Sequence, residues 1–144
     1  MLLVLPYDTS ICPSKLSSYC RSKLTVSDRQ LVGKGYYDFS VASPLDNERI
    51  TGFDNGAVAP FGCNFQSSPS SDAKKDLAAE DDDVRVLLAK CTVDRGVSFI
   101  WLGGGHVDLK VGIDVSEFIN NIGGVDIADV TIDREGGGLK HDED

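Results

Sequence analysis

Apolar residues recur along the N-terminal third of the chain with spacings that predict strands and a helix. Leu2–Leu5 is a short continuous apolar run, which is typical of a buried strand. After Pro13, three apolar residues recur at four-residue intervals, and this spacing predicts a helix over Ser14–Lys23. Tyr36–Val41 alternates aromatic or β-branched residues with polar ones, which predicts a second strand.

A short helix and a glycine-rich loop follow that second strand. Ser43 and Pro44 form a helix-start pair, and Asp46 stands three residues after Ser43 at the capping position. The helix runs directly into TGFDNGAVAPFG, residues 51–62, which contains three glycines and one proline. Glycine and proline adopt or fix backbone angles that other residues disfavour, so this stretch is a shaped loop. Taken alone, the cluster is most simply a connector between strands.

The second half of the chain contains further predicted strands and one helix. The strands are Val84–Cys91, Val97–Leu102 and Val107–Ile113, with a hairpin-sized connection between the first two. Asp114 or Ser116 is placed to cap a helix through SEFINNI, which ends at a glycine pair. Val125–Ile132 predicts a last strand or a mixture of helix and strand.

The order of these elements predicts a fold class. Strands alternate with a few short helices without a repeating βαβ order, which indicates an α+β domain. We expect a mixed or antiparallel sheet that curls into a barrel-like form. One domain over residues 1–134 accommodates the pattern, with a flexible acidic insertion at residues 66–83. Residues 135–144 are predicted to form a disordered acidic tail.

Composition narrows the classes of function. Of 144 residues, 41% are hydrophobic, which is enough for one ordinary core. The net charge of −9 disfavours a broad basic footprint for nucleic acid, so any such contact is expected to be local. The four cysteines show no CxxC pair and no zinc-like spacing, which favours a reduced compartment. MLLVLP lacks the length and basic start of a signal peptide, and no apolar run is long enough to span a membrane, so we expect a cytoplasmic protein.

Few residues carry evident chemistry. A second glycine cluster, LGGGHVDL, lies between two predicted strands but lacks the lysine and hydroxyl of a nucleotide-binding loop. His106 within it is a candidate proton shuttle or hydrogen-bond donor, although a lone histidine after a glycine turn is more often structural. Cys63 is a reactive thiol or a small packing residue, and packing is favoured because no electropositive setting is evident. The sequence shows no signature of a nucleophilic triad.

Together, the two glycine segments and the strands between them resemble the YbaK and prolyl-tRNA synthetase associated family of editing domains. That family carries a Gly-x-x-x-Pro loop, which ITGFDNGAVAPFG matches through Gly56 and Pro60. FIWLGGGHVDLKVGIDVSEFI resembles the family's later strand, glycine turn, strand and helix, with Gly103–His106 in the turn. KGYYDFSVASPLDNERITG is similar to the strand and short helix before the loop. The resemblance extends from about Leu2 to Ile132, interrupted by the acidic insertion.

The resemblance implies an aminoacyl-tRNA deacylase that acts in trans on mischarged tRNA, with alanyl- or cysteinyl-tRNA(Pro) as the expected substrate. Backbone N–H groups of the loop would stabilise the oxyanion formed when the ester at the tRNA 3′ adenosine is attacked. A small pocket would reject larger amino acids sterically. The implied catalytic residues are Gly56, Pro60 and His106, and the implied substrate-binding residues are Ala57, Val58, Ala59, Gly103, Gly104 and Gly105. No metal or organic cofactor is implied, and the acidic charge balance favours prolyl-tRNA synthetase as a partner that supplies tRNA affinity.

The chain departs from the family in one respect. Family members carry a lysine, which contacts substrate phosphate or ribose, on a strand upstream of the one that Leu2–Leu5 resembles; neither Lys15 nor Lys34 occupies that place. We expect either an N-terminally truncated domain or a divergent member with weakened activity, and the abrupt apolar start favours truncation. Two rival interpretations are a non-catalytic domain that binds tRNA or a synthetase, and an unrelated small α+β binding protein whose glycine loops are only turns.

Overall fold

The computed structural model describes residues 1–33, 35–61, 85–121 and 124–134, and the elements are numbered within these ranges. The helices are α1 (Pro13–Ser22), α2 (Val26–Leu31), α3 (Pro44–Thr51), α4 (Lys90–Asp94) and α5 (Val115–Asn121). The strands are β1 (Leu2–Val4), β2 (Thr9–Ile11), β3 (Val86–Ala89), β4 (Phe99–Gly103), β5 (Lys110–Asp114), β6 (Val125–Ala128) and β7 (Thr131–Asp133). The chain is therefore mixed α+β, as its order of strands and helices predicted.

Three small sheets join strands that are far apart in the sequence. β3 lies at the centre of a parallel three-stranded sheet, where Leu3 pairs with Leu87 and Leu88 pairs with Ile127. β2 pairs with β7 in an antiparallel arrangement, and so does β4 with β5. Since parallel neighbours cannot be joined by a tight turn, connections that contain helices link β1 to β3 and β3 to β6.

β3 is buried along its whole length because side chains pack on both faces of the parallel sheet. Leu88 belongs to a cluster that includes Phe118 of α5. Leu87 belongs to a second cluster that includes Leu16 of α1 and Val130. Successive residues of a strand point to opposite faces, so α5 and α1 cover opposite sides of the sheet. This double burial explains the continuous apolar sequence VLLA of the strand.

The described residues do not form the barrel-like curled sheet that the sequence predicted, since none of their three sheets closes on itself. The expected hairpin between β3 and β4 is also wrong. Lys90–Asp94 forms α4 directly after β3, and β4 pairs instead with β5. The predicted strand Val84–Cys91 is accordingly shorter, because its last two residues already belong to the helix.

The prediction of a strand at Tyr36–Val41 is wrong. Its aromatic rings pack on one another instead, with Tyr36 and Tyr37 edge to face at 5.3 Å and Tyr37 stacked on Phe39 at 5.9 Å. Val41 is exposed. An alternating pattern forms a strand only when a neighbouring strand satisfies the backbone N–H and C=O groups, and no described strand lies beside this segment.

Several predicted elements are confirmed near their predicted bounds, namely β1, α1, α3, β4 and α5. Asp114 caps α5 by accepting the N–H of Ser116 at 2.8 Å. The strand expected at Val107–Ile113 begins later, at Lys110, and the final apolar segment divides into β6 and β7. β2 and α2 were not predicted. The acidic insertion, the tail and Cys63 lie outside the described residues.

Within the described ranges, no helix has the length and apolar character needed to cross a membrane.

Candidate functional site

α3 delivers the chain to the first glycine loop in a defined orientation. Ser43 caps the helix by accepting the N–H of Asp46 at 3.2 Å, as its sequence predicted. At the other end, Gly52 adopts a left-handed φ of 76° and donates its N–H to the Glu48 carbonyl at 2.8 Å. Both ends of the helix are therefore fixed by local hydrogen bonds, and the loop begins from a set position.

Gly56 shapes the first loop through its backbone angle. It lies in a turn in which Ala57 donates its N–H to the Asp54 carbonyl at 3.0 Å, and its φ is 84°. A Cβ at this position would meet no atom within 4 Å. Glycine is favoured here because of the left-handed angle, since the space around it is open.

The loop becomes buried directly after this turn. Ala57, Ala59 and Pro60 are buried, whereas Val58 between them is half-buried. The backbone N–H groups of Gly56 and Val58 donate no hydrogen bond to any described residue. Such groups are available to a ligand, and an oxyanion site is built from donors of this kind.

The second glycine cluster forms the tight connection between β4 and β5. Gly104 donates its N–H to the Leu109 carbonyl at 3.0 Å, and Gly105 adopts a left-handed φ of 90°. His106 has 69% of its side chain exposed, and its Nδ1 accepts the N–H of Asp108 at 3.2 Å. In this position the imidazole stabilises the turn and faces solvent.

The two glycine loops are in direct contact. A Cβ on Gly103 would come within 2.1 Å of the Val58 carbonyl oxygen and 3.1 Å of its carbonyl carbon. A Cβ on Gly105 would lie 3.0 Å from Cε1 of Phe53. The absence of a side chain at position 103 is therefore what allows the two backbones to meet.

A pocket of about 370 Å³ opens beside this contact. Three residues that the resemblance assigned to the site line it, namely Val58, Pro60 and Gly103. The other walls come from the N-terminal segment, from β4 and from the end of β7: Leu2, Leu3, Val4, Leu5, Pro6, Tyr7, Thr9, Trp101, Leu102 and Arg134. The lining is mainly apolar, which is usual for small-molecule sites.

The remaining predicted site residues do not line the pocket. They are Gly56, Ala57, Ala59, Gly104, Gly105 and His106. The chain reverses direction immediately after Gly103, because Gly104 begins the turn into β5. His106 lies in that solvent-exposed turn, so the structure does not bring its imidazole to the pocket.

The wall of the pocket limits the chemistry that its side chains can supply. It contains no Asp, Glu, His, Cys or Lys, and Arg134 is the one charged residue among the described residues that line it. Across the described ranges, no group of three or more His, Cys, Asp or Glu side chains is arranged to hold a metal ion. What the site offers is apolar surface, backbone N–H groups and one guanidinium.

Trp101, Tyr7 and Arg134 line the pocket but are not among the site residues that the resemblance implied. Trp101 precedes Gly103 by two residues in β4 and therefore shares its face of the strand, a signal that was available. Arg134 follows β7 directly, and it reaches the pocket because β7 pairs with β2. Its backbone N–H donates to the carbonyl of Asp8, the residue before β2, at 3.0 Å. No local sequence signal predicts that non-local pairing.

A separate polar cluster joins α1 to β6. The Tyr19 hydroxyl donates a hydrogen bond to Asp126, and Nζ of Lys23 lies 2.9 Å from the same carboxylate. The hydrogen bonds from Tyr19 and Lys23 hold the pKa of Asp126 below its usual value. Burial, together with the hydrogen bond to Asp126, raises the pKa of Tyr19 to about 12. None of these three residues lines the pocket at the glycine loops.

Comparison with known proteins adds no relative. The chain matches no protein-family model, no curated protein and no solved structure.

Proposed function

We propose that the chain is an editing aminoacyl-tRNA deacylase of the YbaK and prolyl-tRNA synthetase associated type, with that family's fold. The observation that supports this proposal is the backbone contact between Gly103 and Val58 beside the pocket. The resemblance assigns the two glycine segments to one site, although they are distant in the sequence. Two unrelated surface turns would have no reason to meet at a position where only glycine fits.

Ester hydrolysis at such a site depends mainly on stabilising the oxyanion. In the proposed reaction, water adds to the carbonyl carbon of the aminoacyl ester, and the bond to the ribose oxygen breaks. That oxygen takes up a proton, and the free amino acid leaves. The N–H group of Val58 is the proposed donor to the developing oxyanion, because Val58 lines the pocket and this N–H is not used within the described structure.

The pocket also suggests how the substrate would be selected. Its volume of about 370 Å³ and its apolar walls suit a small aminoacyl group next to part of the terminal nucleoside. Alanyl- or cysteinyl-tRNA(Pro) is the proposed substrate, and larger amino acids would be rejected sterically. A cytoplasmic prolyl-tRNA synthetase is the proposed partner, because a chain with a net charge of −9 needs help to hold tRNA.

The test is deacylation of alanyl- and cysteinyl-tRNA(Pro) by the chain and by a Val58→Phe variant, with circular dichroism to confirm folding. Because Val58 lines the pocket, the larger ring should fill it and lower kcat/KM at least about tenfold. Val93→Phe is the matched control, since Val93 is exposed on α4 and does not line the pocket. Equal activity of a folded Val58→Phe variant would place the reaction elsewhere.

A second candidate function is binding of tRNA or a synthetase without turnover. It is favoured by one observation: among the described residues that line the pocket, no side chain can act as a carboxylate, imidazole, thiol or amine base at neutral pH. A folded chain that binds tRNA(Pro) but leaves both esters intact would select this alternative over the deacylase.

A further inference from the structure

An open cleft of about 510 Å³ runs along α1, and none of the described residues that line it also lines the pocket at the glycine loops. The described residues that line it carry either a hydroxyl or a guanidinium group: Ser14, Ser17, Ser18, Arg21, Ser22 and Arg29. Those on α1 lie three, four, seven and eight positions after Ser14, so they share one face of the helix. We refer to this feature as the arginine–serine cleft.

Backbone carbonyls hold both guanidinium groups of the cleft in place. Arg29 donates from Nε to the Leu24 carbonyl at 3.0 Å and from Nη2 to the Ser22 carbonyl at 2.9 Å. Arg21 donates from Nη2 to the Arg29 carbonyl at 3.2 Å. None of the ion pairs among the described residues includes either arginine. Both side chains are therefore positioned, yet their charge is not neutralised and most of their N–H groups are available.

The sequence around the cleft is basic, although the whole chain is strongly acidic. Between Asp8 and Asp38 there are five basic residues and a single acidic one, Asp28, whereas the chain carries a net charge of −9. The Asp28 carboxylate accepts a hydrogen bond from the Thr25 hydroxyl at 2.6 Å, at the start of α2. Lys15 and Lys23 are ion-paired with Asp129 and Asp126, so the uncompensated positive charge at the cleft is that of Arg21 and Arg29, which attracts an anionic ligand.

We propose that the arginine–serine cleft binds a phosphodiester group of RNA. Guanidinium groups match phosphate oxygens in bidentate geometry. The Ser18 and Ser22 hydroxyls already donate to the Ser14 and Tyr19 carbonyls, so Ser17 is the serine of the cleft whose hydroxyl donates to no described residue. The choice of RNA as the source of the phosphate rests on the proposed function, in which the acceptor end must be held while its ester enters the pocket. The cleft also explains how an acidic chain could hold a polyanion through a local contact.

The experiment measures binding of a fluorescein-labelled RNA hairpin with a single-stranded 3′ CCA end and no attached amino acid. Fluorescence anisotropy is recorded at several salt concentrations for the wild type, Ser17→Glu, Ser17→Gln and Arg21→Gln. Arg49→Gln serves as the matched charge control, because Arg49 is an exposed arginine on α3 outside the cleft.

Ser17→Glu is the decisive variant. It places a carboxylate four residues before Arg21, an arrangement that stabilises a helix, so a loss of binding would not reflect unfolding. We expect Ser17→Glu and Arg21→Gln each to weaken RNA binding about tenfold. Both variants should also show a weaker salt dependence of binding. The slope of the logarithm of the RNA association constant against the logarithm of the salt concentration should fall by about one for every phosphate contact that is lost. Arg49→Gln should bind RNA nearly as the wild type does, and Ser17→Gln, which adds bulk without charge, should weaken binding less than Ser17→Glu.

Equal RNA affinity of wild type, Ser17→Glu and Arg21→Gln would overturn the proposal, as would a folded wild type that binds no RNA. Titration calorimetry with inorganic phosphate distinguishes the other source of the ligand. If inorganic phosphate binds to the wild type but not to Ser17→Glu, and RNA binds to neither, the cleft serves a small phosphate compound and the RNA assignment is wrong.

The same RNA distinguishes the site from the proposed function. Because the RNA carries no ester, RNA binding without deacylase activity would reject the proposed function and leave this site standing. Deacylation unchanged by Ser17→Glu, with unchanged RNA affinity, would reject the site alone.

Discussion

The α-carbon of Gly103 lies against the carbonyl oxygen of Val58, with no room for a side chain between them. A Cβ at position 103 would come within 2.1 Å of that oxygen. The contact joins the last residue of β4 to the first glycine loop, and both partners are backbone. Neither can give way without moving the strand or the loop, so the arrangement of the pocket depends on this one glycine.

Gly103→Ala should therefore be strongly destabilising. Relief of the overlap requires a backbone shift, and we expect a loss of about 3 kcal/mol in the free energy of unfolding. Urea denaturation followed by circular dichroism measures the change. Gly35→Ala is the control, because a Cβ there would meet no atom within 4 Å and its φ is not left-handed. That variant should be neutral or more stable by about 0.5 kcal/mol, and equal losses in both would contradict the close contact.

Gly56→Ala tests a different property, the left-handed backbone angle in open space. We expect a loss of about 1 kcal/mol in the free energy of unfolding, from the φ of 84° alone. Gly56→Asn should lose less, because asparagine tolerates this angle better than alanine does. The urea midpoints of the two variants provide the measurement. If the asparagine variant is as unstable as the alanine variant, strain at φ is not the cause.

Ser43→Ala should loosen the helix that leads into the first glycine loop. The serine hydroxyl accepts the Asp46 N–H at 3.2 Å, and loss of such a cap typically costs about 1 kcal/mol. Thermal unfolding of the variant should show a lower Tm than the wild type. Ser40→Ala, three residues earlier and outside any helix, should leave Tm unchanged. A similar decrease in both variants would argue against a capping role.

The hydrogen bond between Tyr19 and Asp126 should make stability depend on pH at both extremes. The pKa of Tyr19 is raised to about 12, so the folded chain retains a proton that the unfolded chain releases near pH 10. Its contribution is full below about pH 10 and is lost as the pH rises through about 12. The pKa of Asp126 is lowered, so its contribution is present above about pH 4 and is lost as the pH falls through the lower folded value.

Tyr19→Phe removes this hydrogen bond while keeping the ring. We expect a loss of about 1 kcal/mol at pH 7, and a smaller decline in stability between pH 10 and 12 than the wild type shows. Urea unfolding at pH 7, 10 and 11.5 gives both quantities. Tyr36→Phe is the matched control, since Tyr36 is exposed and its ring contact with Tyr37 is retained. An unchanged alkaline decline in Tyr19→Phe would show that another group titrates there.

Elements with local signals could be predicted from the sequence, and those that depend on distant partners could not. The Ser43 cap identified α3 correctly. α2 offered the same kind of signal, because Thr25 accepts the N–H of Asp28 at 3.2 Å, and the pattern could have been recognised. β2 offered none: it has three residues, and its Thr9 pairs with Asp133 near the other end of the described chain.

The same division applies to the candidate site. Val58, Pro60 and Gly103 follow from the resemblance of the two glycine segments, and all three line the pocket. Trp101 stands two residues before Gly103 in β4, which is a local signal, whereas Arg134 completes the wall through the pairing of β7 with β2, which no short sequence window encodes. His106 was chosen for its chemistry, whereas the direction of its side chain is set by the turn it stabilises.

The pairing of the N-terminal strands has a consequence for the newborn chain. Leu3 pairs with Leu87, and Thr9 pairs with Asp133, so the earliest strands have no partner until much later residues have been synthesised. At roughly 5–20 residues per second, the apolar start of the chain waits on the order of ten seconds at the ribosome before β3 emerges. Translation speed therefore sets a minimum time for sheet assembly, and during this interval a chaperone has access to a segment that the finished fold covers.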